Sequence, residues 1–141
     1  MDKKCCSNEG MISLILRIAM ASLFGAAAID KFHGGLENVV TNFNSMFQGT
    51  MLPGFLVTGF ARVIPWLEAI ITIWLVLGIC LRWAWFVTCL TLIALSFGMV
   101  VAHQFPTASS NYLYVAIACF GLYFSKYDCC SLGKKECCSK E

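Results

Sequence analysis

From Met11 to Ile29 the chain runs through nineteen residues with a single charge, Arg17, and then closes on Asp30-Lys31-Phe32-His33-Gly34-Gly35. At 1.5 Å per helical residue such a run spans about 28 Å, close to the roughly 30 Å hydrocarbon core of a bilayer. An arginine within such a span costs about 2.5 to 3.5 kcal/mol on insertion scales and persists where a partner or an interior surface receives it. Any fold for this chain must therefore place the first segment in a membrane and give Arg17 somewhere to go.

The rest of the sequence agrees. Of 141 residues, 59% are hydrophobic and 13% charged, and a soluble core of this size could not hide so much apolar surface. Three further spans are expected, at about Phe60 to Leu81, Trp83 to Ala102 and Asn111 to Tyr127. Trp66, Trp83, Trp85, Tyr112, Tyr114, Tyr123 and Tyr127 fall near their ends, where amphipathic rings prefer the headgroup level. In the long loop between the first two spans, Leu36, Val39, Val40, Phe43, Met46 and Phe47 recur at helical spacing. That pattern predicts a short helix, lying on the outer membrane surface or plugging the bundle from outside.

The expected fold is thus all-α: a four-helix transmembrane bundle with a short amphipathic helix in the first outer loop. It divides into an amino-terminal segment (1–10), a membrane domain (11–127) and a Cys- and Lys-rich tail (128–141). Lys3, Lys4, Arg82, Lys126, Lys134, Lys135 and Lys140 collect on one side and only Lys31 and Arg62 on the other. The positive-inside rule then puts both termini in the cytoplasm of a multi-pass plasma (inner) membrane protein. Small residues four apart, Ala21 with Gly25 and Ser22 with Ala26, mark the packing face of the first helix. Pro65 is expected near the start of the second, where its missing donor costs little.

Depth sorts the ionisable residues. Arg17 lies on the inner side, near Arg82, Tyr123 and Asp128, and either snorkels to headgroups or forms a structural ion pair with Asp128. Glu68 enters from the outer side, level with Asp30, Lys31, His33, Arg62 and His103. The structural reading of Glu68 is a pair with Lys31 or Arg62 that locks helices together. The structural reading of His103 is a wet outer loop near Pro106.

Several short motifs, in serial order, resemble the DoxX-like membrane proteins: Arg17-Ile18-Ala19 with Lys31-Phe32, Leu52-Pro53 followed by Pro65-Trp66-Leu67-Glu68, Gly78 and Arg82, His103-Gln104-Phe105 with Asn111, and Lys126-Tyr127-Asp128. The resemblance covers about residues 11 to 128. It implies four helices and a membrane subunit linked to thiol or sulfur oxidation, with electrons passed toward quinone and a separate redox partner. On that reading Glu68, His103 and Lys31 are the catalytic candidates, and His33, Arg62 and Gln104 the candidates for holding a quinone. Glu68 would shuttle a proton and His103 would donate to a quinone carbonyl.

Nine cysteines are present. Cys5, Cys6, Cys129, Cys130, Cys137 and Cys138 stand in pairs on the expected cytoplasmic ends, where thiols usually stay reduced, and clustered thiolates suit a thiophilic ion such as Cu(I) or Zn(II). Their spacing is not that of a zinc finger. Cys80, Cys89 and Cys119 fall within the expected spans and read as small apolar packing residues. No phosphate loop, dinucleotide fingerprint or nucleophilic triad occurs, and a net charge of +2 points to membrane orientation rather than to nucleic acid.

Three functions compete: a membrane subunit of a quinone-linked thiol or sulfur redox system, a small transporter or sensor for thiophilic metals, and a structural membrane subunit without catalysis. The bilayer is the common partner, self-association is open, and the residues leave open whether the chain is catalytic alone. Lys3 and Lys4 before an apolar run ending in Ala26-Ala27-Ala28 also fit a cleaved signal peptide, although the run is longer than a usual signal core and contains Arg17. Amino-terminal sequencing of the purified protein is expected to find the first helix retained; a mature start near Ile29 would remove it and invert the topology.

Overall fold

The computed structural model describes residues 8–128. Five α-helices and one 3-10 turn follow in order: α1 (Asn8–Gly34), α2 (Leu36–Met46), α3 (Gly54–Leu77), α4 (Leu81–Val101), α5 (Phe105–Phe124) and the turn Ser125–Tyr127. There is no strand among the described residues. α1, α3 and α4 are long and apolar enough to cross a membrane. α5 has 20 residues, and its first turns are polar, with Thr107, Ser109, Ser110 and Asn111.

Each of α1, α3, α4 and α5 packs against two of the others, so the four close a ring in the order α1, α3, α4, α5, and α2 lies against α1 and α3. The joints are short and use left-handed backbone. Gly35 (φ 85°) turns α1 into α2, Gly78 (φ 67°) and Cys80 (φ 45°) turn α3 into α4, and His103 (φ 57°) sits between α4 and α5. Glycine meets such angles without a Cβ penalty, whereas Cys80 and His103 carry one.

The helices are apolar on their exposed faces as well as inside, unlike those of a soluble protein. Along α3, Val57, Ala61, Ile64, Glu68, Ile71 and Leu75 are buried, while Val63, Trp66, Ile70, Ile73 and Val76 are exposed. α4 repeats the pattern, with Trp83, Phe86, Leu90, Ile93 and Phe97 outward and Ala84, Trp85, Thr88, Leu92 and Ser96 inward. Large apolar side chains cover the outward faces as well as the core, while several hydroxyls and two ion pairs are turned inward, which suits lipid as the surrounding solvent. The inward hydroxyls of α4 are satisfied locally: Thr88, Thr91 and Ser96 donate to the carbonyls of Ala84, Val87 and Leu92, each four residues back.

Trp85 centres the main core, fully buried among Met20, Phe24, Ile71, Leu75, Leu92 and Ala118. Its ring lies against Gly121, where an added Cβ would come within 2.5 Å of Cη2 and Cζ2. A glycine is needed there for α4 and α5 to approach. A second, smaller core of Phe47, Val57 and Ala102 ties the end of α2 to α3 and α4.

The largest shifts from the expected boundaries are at the starts of α3 and α5. α3 begins at Gly54, six residues before Phe60, so Pro65 stands inside the helix and is buried rather than near its start. Its ring removes the donor that would bond Ala61, the usual origin of a local bend. α5 begins at Phe105 rather than Asn111, with Pro106 in its first turn, where a missing N–H costs nothing. The expected loop helix is present as α2, whose Val39 and Val40 are buried against the other helices, so its apolar side is turned to the protein.

Gly121→Ala is expected to destabilise the protein by about 1 to 3 kcal/mol through overpacking. Thermal unfolding in detergent should show the loss, and a smaller ring, Trp85→Phe in the same background, should recover part of it.

Candidate functional site

α1 carries an ion pair towards each end. Near its start, Arg17 Nη1 lies 3.3 Å from Asp128 Oδ2 and 3.4 Å from Oδ1, and Ser13 Oγ donates to Oδ2 at 3.1 Å. Both charged side chains are shielded, at 9% and 1% exposure, so the Arg17 guanidinium ends inside the protein and not at the headgroups. Ser13 and Arg17, one turn apart on α1, reach the same carboxylate.

Near the other end, Lys31 Nζ donates to both carboxylate oxygens of Glu68 at 2.7 Å. Glu68 is almost wholly enclosed, with 4% of its side chain exposed, against 22% for Lys31. The pair forms part of the wall of a cavity of about 240 Å³ between α1, α3, α4 and α5. Leu23, Phe24, Ile64, Leu92 and Met99 supply apolar wall, Thr107, Asn111 and Tyr114 of α5 supply polar atoms, and Phe43 of α2 reaches in from outside the ring. The setting is a small apolar chamber with a fixed ion pair and three further hydrogen-bonding side chains, the usual composition of a ligand site.

The structure brings Lys31 and Glu68 together and leaves the other outer candidates apart. Arg62 is 3.6 Å from Glu37 on the surface, both side chains well exposed. His33 is exposed in the last turn of α1. His103 is exposed in the α4–α5 joint with its ring edge-on to Phe105, and Gln104 precedes α5, also exposed. None of these four lines the cavity. Thr107, Asn111 and Tyr114 were not singled out by sequence as cavity residues; their spacing of four and three along α5 was the available signal.

Cys5, Cys6, Cys129, Cys130, Cys137 and Cys138 lie outside the described residues. Among the described residues no group of three or more His, Cys, Asp or Glu is placed to hold a metal ion. Cys80 is disulfide-bonded, which corrects its reading as a packing residue, while Cys89 and Cys119 are free.

Residues 9–111 match the family model described as methylamine utilisation protein MauE. The chain belongs to the MauE family. That match takes in α1 to α4 and α5 as far as Asn111, and so both Lys31 and Glu68. It overturns the resemblance to the DoxX-like proteins: the quoted motifs are short, and the helix ends and small-residue faces they describe are common to compact apolar helical proteins. The quinone-linked redox chemistry inferred from that resemblance loses its support with it. No curated protein and no solved structure matches the chain. MauE membership and three membrane-length apolar helices make this a multi-pass membrane protein.

Removing one member of a buried pair leaves the other charge uncompensated, at a cost of about 3 to 5 kcal/mol. Arg17→Ala and Asp128→Ala should each lower the unfolding temperature in detergent by a comparable amount, and the double variant should be little worse than either. Fully additive losses would show that the two side chains do not act as a pair.

Proposed function

We propose that this chain is a non-catalytic membrane subunit of a larger system, with the Lys31–Glu68 chamber as its working site. The observation that carries the reading is the enclosed Glu68 carboxylate, held by Lys31 at the wall of a cavity rather than in solid packing. Ionisable side chains within membrane helices are costly and characteristically mark sites of function. A chamber of this size and lining fits a small, mostly apolar molecule with one polar head, received by Thr107, Asn111 and Tyr114 opposite the ion pair. The family description, methylamine utilisation, makes small alkylamines the first compounds to try.

In this reading α5 is a fourth crossing, its polar first turns lying at the outer headgroup level, and both termini face the cytoplasm of the inner membrane. The membrane domain runs from 11 to 127, with short segments before and after it. The companion protein supplies any chemistry.

The experiment is complementation of a strain lacking its own copy. Glu68→Gln keeps the shape of the side chain and should yield a folded protein, judged by thermal unfolding in detergent, that fails to complement. The paired replacement Lys31→Met with Glu68→Leu should also fold and fail. Full complementation by that apolar pair would make the ion pair a structural clasp and defeat the proposal.

A further inference from the structure

The two members of the outer ion pair are not equivalent. Glu68 stands in the body of α3 with 4% of its side chain exposed, whereas Lys31 stands in the last turn of α1 with 22% exposed, just before the left-handed joint at Gly35. Among the described residues Lys31 Nζ alone donates to the Glu68 carboxylate, at 2.7 Å to each oxygen. Thr107, Asn111 and Tyr114 line the same chamber, and their side chains make no hydrogen bond among the described residues.

We propose that Glu68 is the seat for a small primary n-alkylammonium ion, and that Lys31 is a tethered stand-in for this ligand, displaced when it enters. The inference rests on the chamber being the working site and names what that site takes. A lysine side chain is itself a primary ammonium on an unbranched apolar stem. The chamber therefore already holds the chemistry it receives.

Charge balance selects the ligand class. An enclosed carboxylate left without a cation is expensive. Glu68 is fixed inside, so Lys31 is the member free to withdraw, towards the exposed end of α1. An incoming cation keeps the chamber neutral as Lys31 leaves, one ammonium replacing another with no covalent bond made or broken. An anion drawn to Lys31 would strand Glu68, and a neutral head leaves the pair shut. A primary ammonium has three N–H donors: two take the positions that Lys31 held on the carboxylate, and the third finds an acceptor among Thr107, Asn111 and Tyr114. Its alkyl chain lies against Phe24, Ile64 and Leu92 of the apolar wall.

Wild type, Lys31→Ala, Glu68→Gln and the double variant are purified full-length in detergent and titrated with radiolabelled n-propylammonium chloride. This probe carries the three methylenes and the ammonium that Lys31→Ala removes. Wild type should bind one equivalent saturably. Lys31→Ala should bind at least about tenfold more tightly, because lysine no longer holds part of the population closed. Its unfolding temperature should rise with the probe towards that of wild type. Neither variant lacking the carboxylate should bind. Tetramethylammonium, equal in charge but without an N–H, should compete at least about tenfold more weakly than propylammonium. If Lys31→Ala folds only with the probe present, removing the probe by dialysis should unfold it. No saturable binding by wild type, equal affinity in wild type and Lys31→Ala, or binding retained by Glu68→Gln would overturn the proposal. Absent binding in a protein whose complementation still requires Glu68 would reject the ammonium ligand and leave the chamber as the working site.

Discussion

A charge carried on an apolar helix must find its opposite inside the protein, and in this chain that requirement fixes where the ends of α1 attach. Arg17 and Lys31 are fourteen residues apart, which is about 21 Å along the axis and nearly a whole number of turns. They therefore lie on one face, the face that also buries Met20, Ala21, Phe24 and Ala28. One charge takes Asp128, just beyond the 3-10 turn that follows α5, and the other takes Glu68 of α3. The first contact closes the chain on itself across more than a hundred residues; the second sets the relative height of α1 and α3. Apolar packing then fills between two fixed points.

Such pairs are weak evidence for added stability, because the cost of removing both ions from water offsets much of their attraction. Their stronger effect is on register. In lipid there is little hydrophobic preference between one apolar contact and another, and helix association rests on close packing and polar contacts. A slide of one turn along α1 would preserve most of the apolar contacts and break both ion pairs. The same logic places the chamber: the Lys31–Glu68 clasp holds α1 and α3 together at that level, while α4 and α5 form the opposite walls.

Three of the four expected spans and the loop helix were legible in the sequence because hydropathy and length report directly on what a bilayer accepts. Azimuth was less legible. Asp30 and His33 flank Lys31 and Arg62 lies about 9 Å along α3 from Glu68, yet at about 100° per residue His33 lies roughly 200° around α1 from Lys31, and Arg62 is likewise turned away from Glu68 on α3. Depth alone gathered them into one cluster, and helical rotation separates them. A span expected to start at Asn111 left Thr107 in a loop, so its alignment with Asn111 and Tyr114 along α5 was not legible. Cys80 sits in an apolar stretch as Cys89 and Cys119 do, so its disulfide was not legible in the sequence. Family assignment from short motifs failed for a related reason: the same residues answer the general demands of helix ends and close helix contacts.

The self-contained hydroxyls of α4 give this helix an unusual independence. Thr88, Thr91 and Ser96 spend their donors within their own backbone, so none of these buried groups specifies a neighbour. What orients the middle of α4 is shape, chiefly the indole of Trp85 seated against Gly121. A helix held that way works like a keyed shaft: a change in the size of one ring or of one small residue can reset its angle without stranding a polar group. Lineages could thus alter the far wall of the chamber through α4 while the ion pairs on α1 keep the frame in place.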